Sequence, residues 1–397
     1  MKVVLINNLY KPYAVGGAER VVERRARELV DGGNDVVVIT WRPWSGWGSW
    51  CPVKSFEDGI NIYRFWVPNI FSYKNLSKHN FVLKLIWHFI DIFNGWSGRI
   101  IHNILKSEKP DLVETHNLMG IGYCLGIRNK ELGINWRHYI HDVQLVESSG
   151  VLVWNHEKDN LAQKIYSWIM KRKFRNVDEV ISPTKFLWEF YRKRNFFVYS
   201  NYVLENPKPL PHRQAGITHN PKVISDSNIK FLFVGSLVEH KGVRVLMQAW
   251  DQVNSESHDE VGQESPDLIH LQGDPSTALV ATAPHSAQDD VILHIVGDGI
   301  LHQEVKEWAK DKNNVIVHGR LEGEKLEEIY NECDVLIFPS ICIENNPTVI
   351  HEALHHGLRV IASDTGGVKE IFGGIKNVEL VEAGNVDELS EAVRRMI

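Results

Sequence analysis

Short β-branched runs recur along this chain, each followed by a glycine-rich or polar loop and then by a helical pattern. The first, Lys2–Asn7, is apolar from Val3 to Ile6, as expected of a strand covered on both faces. After Tyr13-Ala14-Val15-Gly16-Gly17-Ala18-Glu19-Arg20, apolar Val21, Val22, Leu29 and Val30 among charges predict a helix that stops at Gly32-Gly33. Asp35–Thr40 is the next strand. Strand, glycine loop, helix and strand make a βαβ unit, so the sheet is expected to be parallel. Ile60–Trp66, Leu112–Thr115, Trp136–Ile140 and Val180–Ile181 continue the series.

Residues 205–228 contain Pro207, Pro209, Pro211 and Pro221 and read as a linker. A second series follows: strand Phe231–Val234, loop Gly235–Gly242, helix Val243–Val253, then strands Ile292–Val296, Asn314–Val317, Val335–Phe338 and Val360–Ala362. The pattern predicts an α/β protein of two doubly wound parallel-sheet domains, residues 1–205 and 206–397. Residues 254–290 interrupt the second series with eight acidic residues and no Lys or Arg; a long polar loop of this kind is either functional or disordered, and the composition favours a disordered insertion.

Composition changes the picture in three ways. Four cysteines in 397 residues, none in a C-x-x-C pair, exclude a disulfide framework and suit a reducing cytosol. The apolar run at Lys2–Ile6 is too short for a signal peptide, and Phe81–Ile101 is broken by Lys84, His88, Asp91 and Arg99, so no bilayer span is expected. Net charge divides unevenly: residues 1–205 hold 28 Lys+Arg against 20 Asp+Glu, and residues 206–397 hold 16 against 30. A basic first half suits a phosphate-bearing ligand or an anionic membrane surface; it equally serves solubility.

Candidate chemistry lies at the carboxyl ends of the strands, where doubly wound sheets bind ligands. Ile343-Glu344-Asn345-Asn346-Pro347-Thr348-Val349-Ile350-His351-Glu352-Ala353 follows strand Val335–Phe338. Pro347 suits the first turn of a helix, leaving the amides of Asn346 to Val349 for a phosphate. Glu344 and Glu352, eight apart, can grip hydroxyls at two ends of one ligand. Lys241, in the loop Gly235–Gly242, can reach a phosphate, or be a solvated surface cation. His141-Asp142 ends strand Trp136–Ile140, where His141 can hydrogen-bond a substrate or be structural. Gly16-Gly17 lets a backbone approach an anion at a helix N-terminus, or is a plain turn. His351-Glu352-Ala353-Leu354-His355 also matches the zinc-protease pattern H-E-x-x-H, with Glu370 as a conceivable third ligand; a βαβ setting argues against it.

Taken in order, these elements resemble the GT-B-fold glycosyltransferases of family 4. The resemblance runs from Lys2 to about Arg394 and rests on Gly16-Gly17-Ala18-Glu19, His141-Asp142, Val234-Gly235 with Lys241-Gly242, Val296-Gly297-Asp298-Gly299, His318-Gly319-Arg320-Leu321, Pro339-Ser340, Glu344-x7-Glu352-Ala353 and Asp364-Thr365-Gly366-Gly367 with Glu370-Ile371. It implies two Rossmann-like domains facing a central cleft and retaining transfer from a nucleotide sugar. No cofactor or metal is implied; the co-substrate would be a UDP- or GDP-linked sugar. By the resemblance, Glu352 would hold the ribose, and Glu344 with the segment Asn345, Asn346, Pro347 and Thr348, through its free amides, the sugar and diphosphate. Lys241 would neutralise the phosphates, with Ser236 in the same loop and Gly16-Gly17 closing on them. Arg320 and Leu321 would flank the base and His141 would face the sugar.

Three departures qualify this. Ser236 stands where the family often has Arg, so one phosphate contact would need another donor such as Arg320. Glu344-Asn345-Asn346-Pro347 replaces the commoner E-G-F-G. The chain stops at Ile397, where family members usually continue through helices that cross back onto the first domain. The acceptor is expected to be a glycan or lipid-linked glycan, with no role for nucleic acid. The basic aromatic stretches Lys164–Arg175 and Lys185–Phe197 would meet an anionic membrane, placing the chain in the cytoplasm at the inner face of the cell membrane, or are ordinary packing helices. A nucleotide-sugar epimerase or a non-catalytic sugar-nucleotide-binding protein would fit the same architecture.

Overall fold

A computed structural model describes residues 1–13, 17–125, 133–155, 158–205, 229–260 and 291–397. Gly16, the linker 206–228 and residues 261–290 of the acidic stretch lie outside the described residues. The chain divides into two compact units, Met1–Pro207 and Lys208–Ile397.

The first unit is a sheet of β1 (Lys2–Ile6), β2 (Asp35–Trp41), β3 (Val53–Glu57), β4 (Ile60–Phe65), β5 (Leu112–Thr115), β6 (Asn135–Tyr139), β7 (Glu179–Ser182) and β8 (Asn201–Leu204). Their spatial order is β3-β4-β2-β1-β5-β6-β7-β8, parallel throughout except for the antiparallel β3–β4 hairpin. That hairpin is absent from the pattern-based expectation, although Asp58-Gly59 is a strong two-residue turn signal. Both residues are left-handed, at φ 50° and 79°, as that turn requires. Helices α1 (Gly17–Asp31), α2 (Phe81–Phe93), α3 (Gly95–Glu108), α4 (Leu161–Lys173) and α5 (Lys185–Arg192) connect these strands. The apolar stretch from Phe81 is thus two helices, separated at Asn94, whose side chain caps α3.

The second unit holds β9 (Ile229–Val234), β10 (Val291–Val296), β11 (Val315–Gly319), β12 (Val335–Phe338), β13 (Arg359–Ser363) and β14 (Val378–Val381), in the order β11-β10-β9-β12-β13-β14. All its pairings are parallel. Its helices are α6 (Val243–Glu260), α7 (His302–Ala309), α8 (Glu324–Glu332), α9 (Thr348–His355), α10 (Val368–Phe372) and α11 (Val386–Arg394). Because side chains alternate along a strand, each strand feeds two cores. Phe231, Phe233, Leu293, Ile295 and Ile337 pack with Leu246 and Trp250 of α6 on one face. Leu232, Val296, Leu336, Phe338 and Val360 pack with Ile350 and Ala353 of α9 on the other. Helix α6 runs past Val253 to Glu260, so the first seven residues assigned to the insertion are helical instead.

Strand order reverses between β9 and β12 in this sheet, and between β1 and β5 in the first. At such a switch point the outgoing loops part in opposite directions and leave a crevice at the carboxyl ends of the strands.

Candidate active site

In the second unit the loops leaving β9 and β12 are joined at the switch point. Ile341 donates its amide to the His240 carbonyl at 3.0 Å, and Ser340 Oγ lies 3.2 Å from the same oxygen. The approach is close because Gly242 sits at φ 72°: a Cβ there would stand 1.7 Å from the Pro339 carbonyl oxygen. This contact delivers Lys241 to Glu344. Lys241 Nζ donates to Glu344 Oε1 at 2.7 Å, and Ser340 Oγ donates to the same oxygen at 2.7 Å. Burial pulls the Lys241 pKa down, but the Glu344 carboxylate more than offsets this and the net shift is upward, so the ammonium stays charged. Burial, then the Glu344 charge, pushes the Cys342 thiol up to about 12, so this cysteine is no nucleophile at neutral pH.

Glu344 is held from behind as well. Its carbonyl accepts from the Gly367 amide at 2.7 Å, and a Cβ on Gly366 would stand 2.0 Å from that oxygen. Asn345, Asn346 and Pro347 carry the chain from Glu344 into α9. Pro347 is the N-cap (φ −68°, ψ 114°) and not a residue of the first turn as expected. No side chain caps α9; the Ile350 amide donates to the Pro347 carbonyl at 3.3 Å, which leaves the amides of Thr348 and Val349 to face an anion. His351 Nε2 and Asn346 Oδ1 are bonded at 2.7 Å, which pins this approach onto the helix.

Glu352 lies in the second turn of α9. It is buried, and Tyr330 Oη of α8 donates to its Oε2 at 3.0 Å. The zinc pattern does not assemble: among the described residues no three His, Cys, Asp or Glu side chains converge as a ligand set. Ser236 follows β9 in the same loop as Lys241. Leu321, after β11, packs partly buried against the core that includes Ile350. Arg320 is 55% exposed, with Nε donating to Glu322 Oε1 at 2.8 Å.

The first unit carries a small pocket of mixed polar and apolar walls at the carboxyl ends of β5 and β6. His141 lines it with His116, Asp142, Gln144 and Tyr191. His116 Nδ1 and His141 Nε2 are bonded at 3.0 Å, so one ring nitrogen of His141 is turned to a neighbouring histidine. Burial holds His141 at about 4 and His116 well below its ordinary value, so both are neutral at pH 7. Burial raises Asp142 to about 6, against the Gln144 amide donating to it at 2.8 Å. Gly17 begins α1.

Sequence reasoning missed His116, Tyr330 and the Glu344 partners Ser340 and Cys342 as site residues. His116 had a usable signal, since it follows β5 as His141 follows β6. Tyr330 had none, because only packing brings it to Glu352.

Residues 16–203 match the family described as glycosyl transferase 4-like domain, and residues 276–397 match glycosyl transferases group 1. An uncharacterised 42.6 kDa protein in the cps region of Klebsiella pneumoniae is 28% identical over 201 residues, 50% of this chain and 52% of that protein. The alignment thus spans about half the length of that relative. An uncharacterised glycosyltransferase of Methanocaldococcus jannaschii is 22% identical over 100% of this chain and 89% of its own length. Among solved structures, sucrose-phosphate synthase from Thermosynechococcus elongatus superposes with TM-score 0.66 at 16% identity, covering 100% of this chain and 89% of that one. Anabaena HepE in complex with UDP superposes with TM-score 0.60 at 15% identity, over the same shares. Two doubly wound units and the two matching families agree: the chain belongs to the GT-B glycosyltransferases of family 4 type.

Proposed function

We propose that this glycosyltransferase is a retaining, metal-independent hexosyltransferase that takes its sugar from a UDP- or GDP-linked donor. Its acceptor is a glycan or lipid-linked glycan of surface polysaccharide synthesis, met at the cytoplasmic face of an anionic membrane. One observation carries the donor assignment: Lys241, Glu344 and the uncapped N-terminus of α9 converge at the switch point of the second sheet. A diphosphate there meets an ammonium and a set of aligned amides, both suited to the charge that grows as the sugar–phosphate bond breaks. As the diphosphate draws Lys241 toward itself, Glu344 is released to accept from the sugar hydroxyls, and Glu352 takes those of the ribose. The acceptor hydroxyl attacks from the face the diphosphate leaves, its proton passing to the departing phosphate oxygen, so configuration is kept. His141 in the first unit is the acceptor-side candidate. The UDP bound by the Anabaena protein supports trying uridine donors first.

The test is calorimetric titration with UDP, GDP, ADP and their sugars, followed by nucleotide-release assays with glycan acceptors. One nucleotide should bind selectively. Lys241→Met should cut kcat by about 10²–10³-fold with the fold intact, the scale for removing one charge-stabilising donor. Binding of none of the nucleotides would overturn the donor site, and donor binding without turnover on any acceptor would leave a sugar-nucleotide-binding protein.

A further inference from the structure

Helix α2 is covered on the wrong side for a water-facing helix. Only Trp87, Asp91 and Ile92 are buried. Phe81, Leu85, Phe89 and Phe93 recur every fourth residue, with Val82 and Ile86 one turn apart beside them, so six large apolar side chains share one face. All six are exposed, from 45% at Ile86 to 73% at Phe81. A contiguous apolar face of this size marks a binding surface.

We propose that α2 is an in-plane membrane anchor that sinks this face into an anionic bilayer, with α4 supplying the electrostatic contact. The inference rests on the reading of a transferase working at a membrane, and names the surface that does it. Thirteen residues reach about 20 Å, too short to cross a hydrocarbon core of about 30 Å, so the helix lies in the surface. Its neighbour decides the occupant. Lys173 Nζ of α4 stands 5.3 Å from the Phe93 ring and donates to Cys124 Sγ at 3.0 Å, and that thiol donates to the Ile92 carbonyl at 3.4 Å. Helix α4 has no acidic residue. Its last turn holds Lys171, Arg172 and Lys173, and its exposed Leu161, Ile165 and Trp168 share a face with Arg172, whose guanidinium lies 3.6 Å over the Trp168 ring. Cations beside an apolar face match anionic headgroups above acyl chains. A second copy of the chain would set these cations against their own kind across a two-fold axis. The expected second basic stretch does not serve: Phe190, Tyr191, Phe196 and Phe197 of Lys185–Phe197 are buried. On its protein side α2 is tied toward the acceptor, since Asp91 accepts from the Gly120 amide at 3.0 Å, in the loop that leaves β5 beside the His141 cavity.

The experiment uses the full chain and vesicles of phosphatidylcholine with or without phosphatidylglycerol, free of any acceptor lipid. Co-sedimentation should require phosphatidylglycerol and weaken as salt rises. Ile86→Asp with Phe89→Asp should reduce it by at least about tenfold, and Lys164→Gln, Lys171→Gln and Arg172→Gln together by about a hundredfold. Phe89→Trp, which keeps the surface apolar, should add fluorescence that acyl-chain-brominated lipid quenches. No vesicle binding, or an unquenched Phe89→Trp increment, overturns the anchor. So does a dimer in sedimentation equilibrium that Phe89→Asp dissolves, which would assign α2 to a second copy. Nucleotide titrations on the same variants separate the two readings: lost vesicle binding with intact nucleotide binding removes the anchor alone, and the converse removes the donor site alone.

Discussion

Glu352, under the proposed donor site, would serve packing and recognition with one side chain. It is buried beside Tyr330, whose hydroxyl donates to one of its oxygens. A carboxylate already oriented in this way loses little freedom when a ribose hydroxyl donates to it. Glu352→Ala should therefore weaken donor binding by roughly 1.5–3 kcal/mol, the range for a hydrogen bond to a charged group. Titration calorimetry checks this, with circular dichroism to confirm folding; unchanged affinity in a folded variant would remove Glu352 from the site. The residue was legible from its place after a strand and its distance from Glu344. Its partner was not, since Tyr330 is 22 residues away and arrives only when α8 packs against α9.

At the scale of elements, the site depends on two loops meeting without side chains between them. Gly242 permits this at φ 72°, against the Pro339 carbonyl. Gly242→Ala combines left-handed strain with a clash against rigid backbone, and should destabilise the second unit by more than about 2 kcal/mol. Gly374→Ala is the control. It is also left-handed, at φ 88°, but its Cβ would meet nothing within 4 Å, so about 1 kcal/mol is expected. Denaturant titration distinguishes the two, and equal losses would mean that strain alone acts at Gly242. Most strands and their parallel sense were legible because doubly buried strands are continuous apolar runs. Strand β3, Val-Lys-Ser-Phe-Glu, escaped because it is an exposed edge strand with no such run; β14, Val-Glu-Leu-Val, is interrupted by an acid. The α9 boundary moved by one residue because proline restrains the backbone on both sides of itself, and only geometry shows which side is helical.

For the molecule as a whole, two units with separate cores should unfold in two calorimetric transitions. A bound nucleotide should raise the second-unit transition, by about 2.7 kcal/mol at a hundred times Kd. Acidity should reveal the first unit through Asp91. Burial raises its pKa to about 7, so the folded state binds a proton that the unfolded chain releases near 4. Its ionisation therefore costs stability progressively from about pH 4 to pH 7. Asp91→Asn keeps an acceptor for the Gly120 amide and should be more stable than the parent by on the order of 2–4 kcal/mol above pH 7, the difference vanishing near pH 4. Equal stability at pH 8 would show that Asp91 does not carry a buried charge there.

The chain's sequence by itself determined the fold class and pointed to the loops proposed to carry the chemistry, because apolar periodicity, glycine and proline act within a few residues of one another. Tertiary structure alone decided that Lys241 and Glu344, 103 residues apart, become an ion pair, that His116 meets His141, and that α2 turns its phenylalanines outward. Each of these follows from strand order and helix packing, which bring distant segments together and which no local pattern encodes.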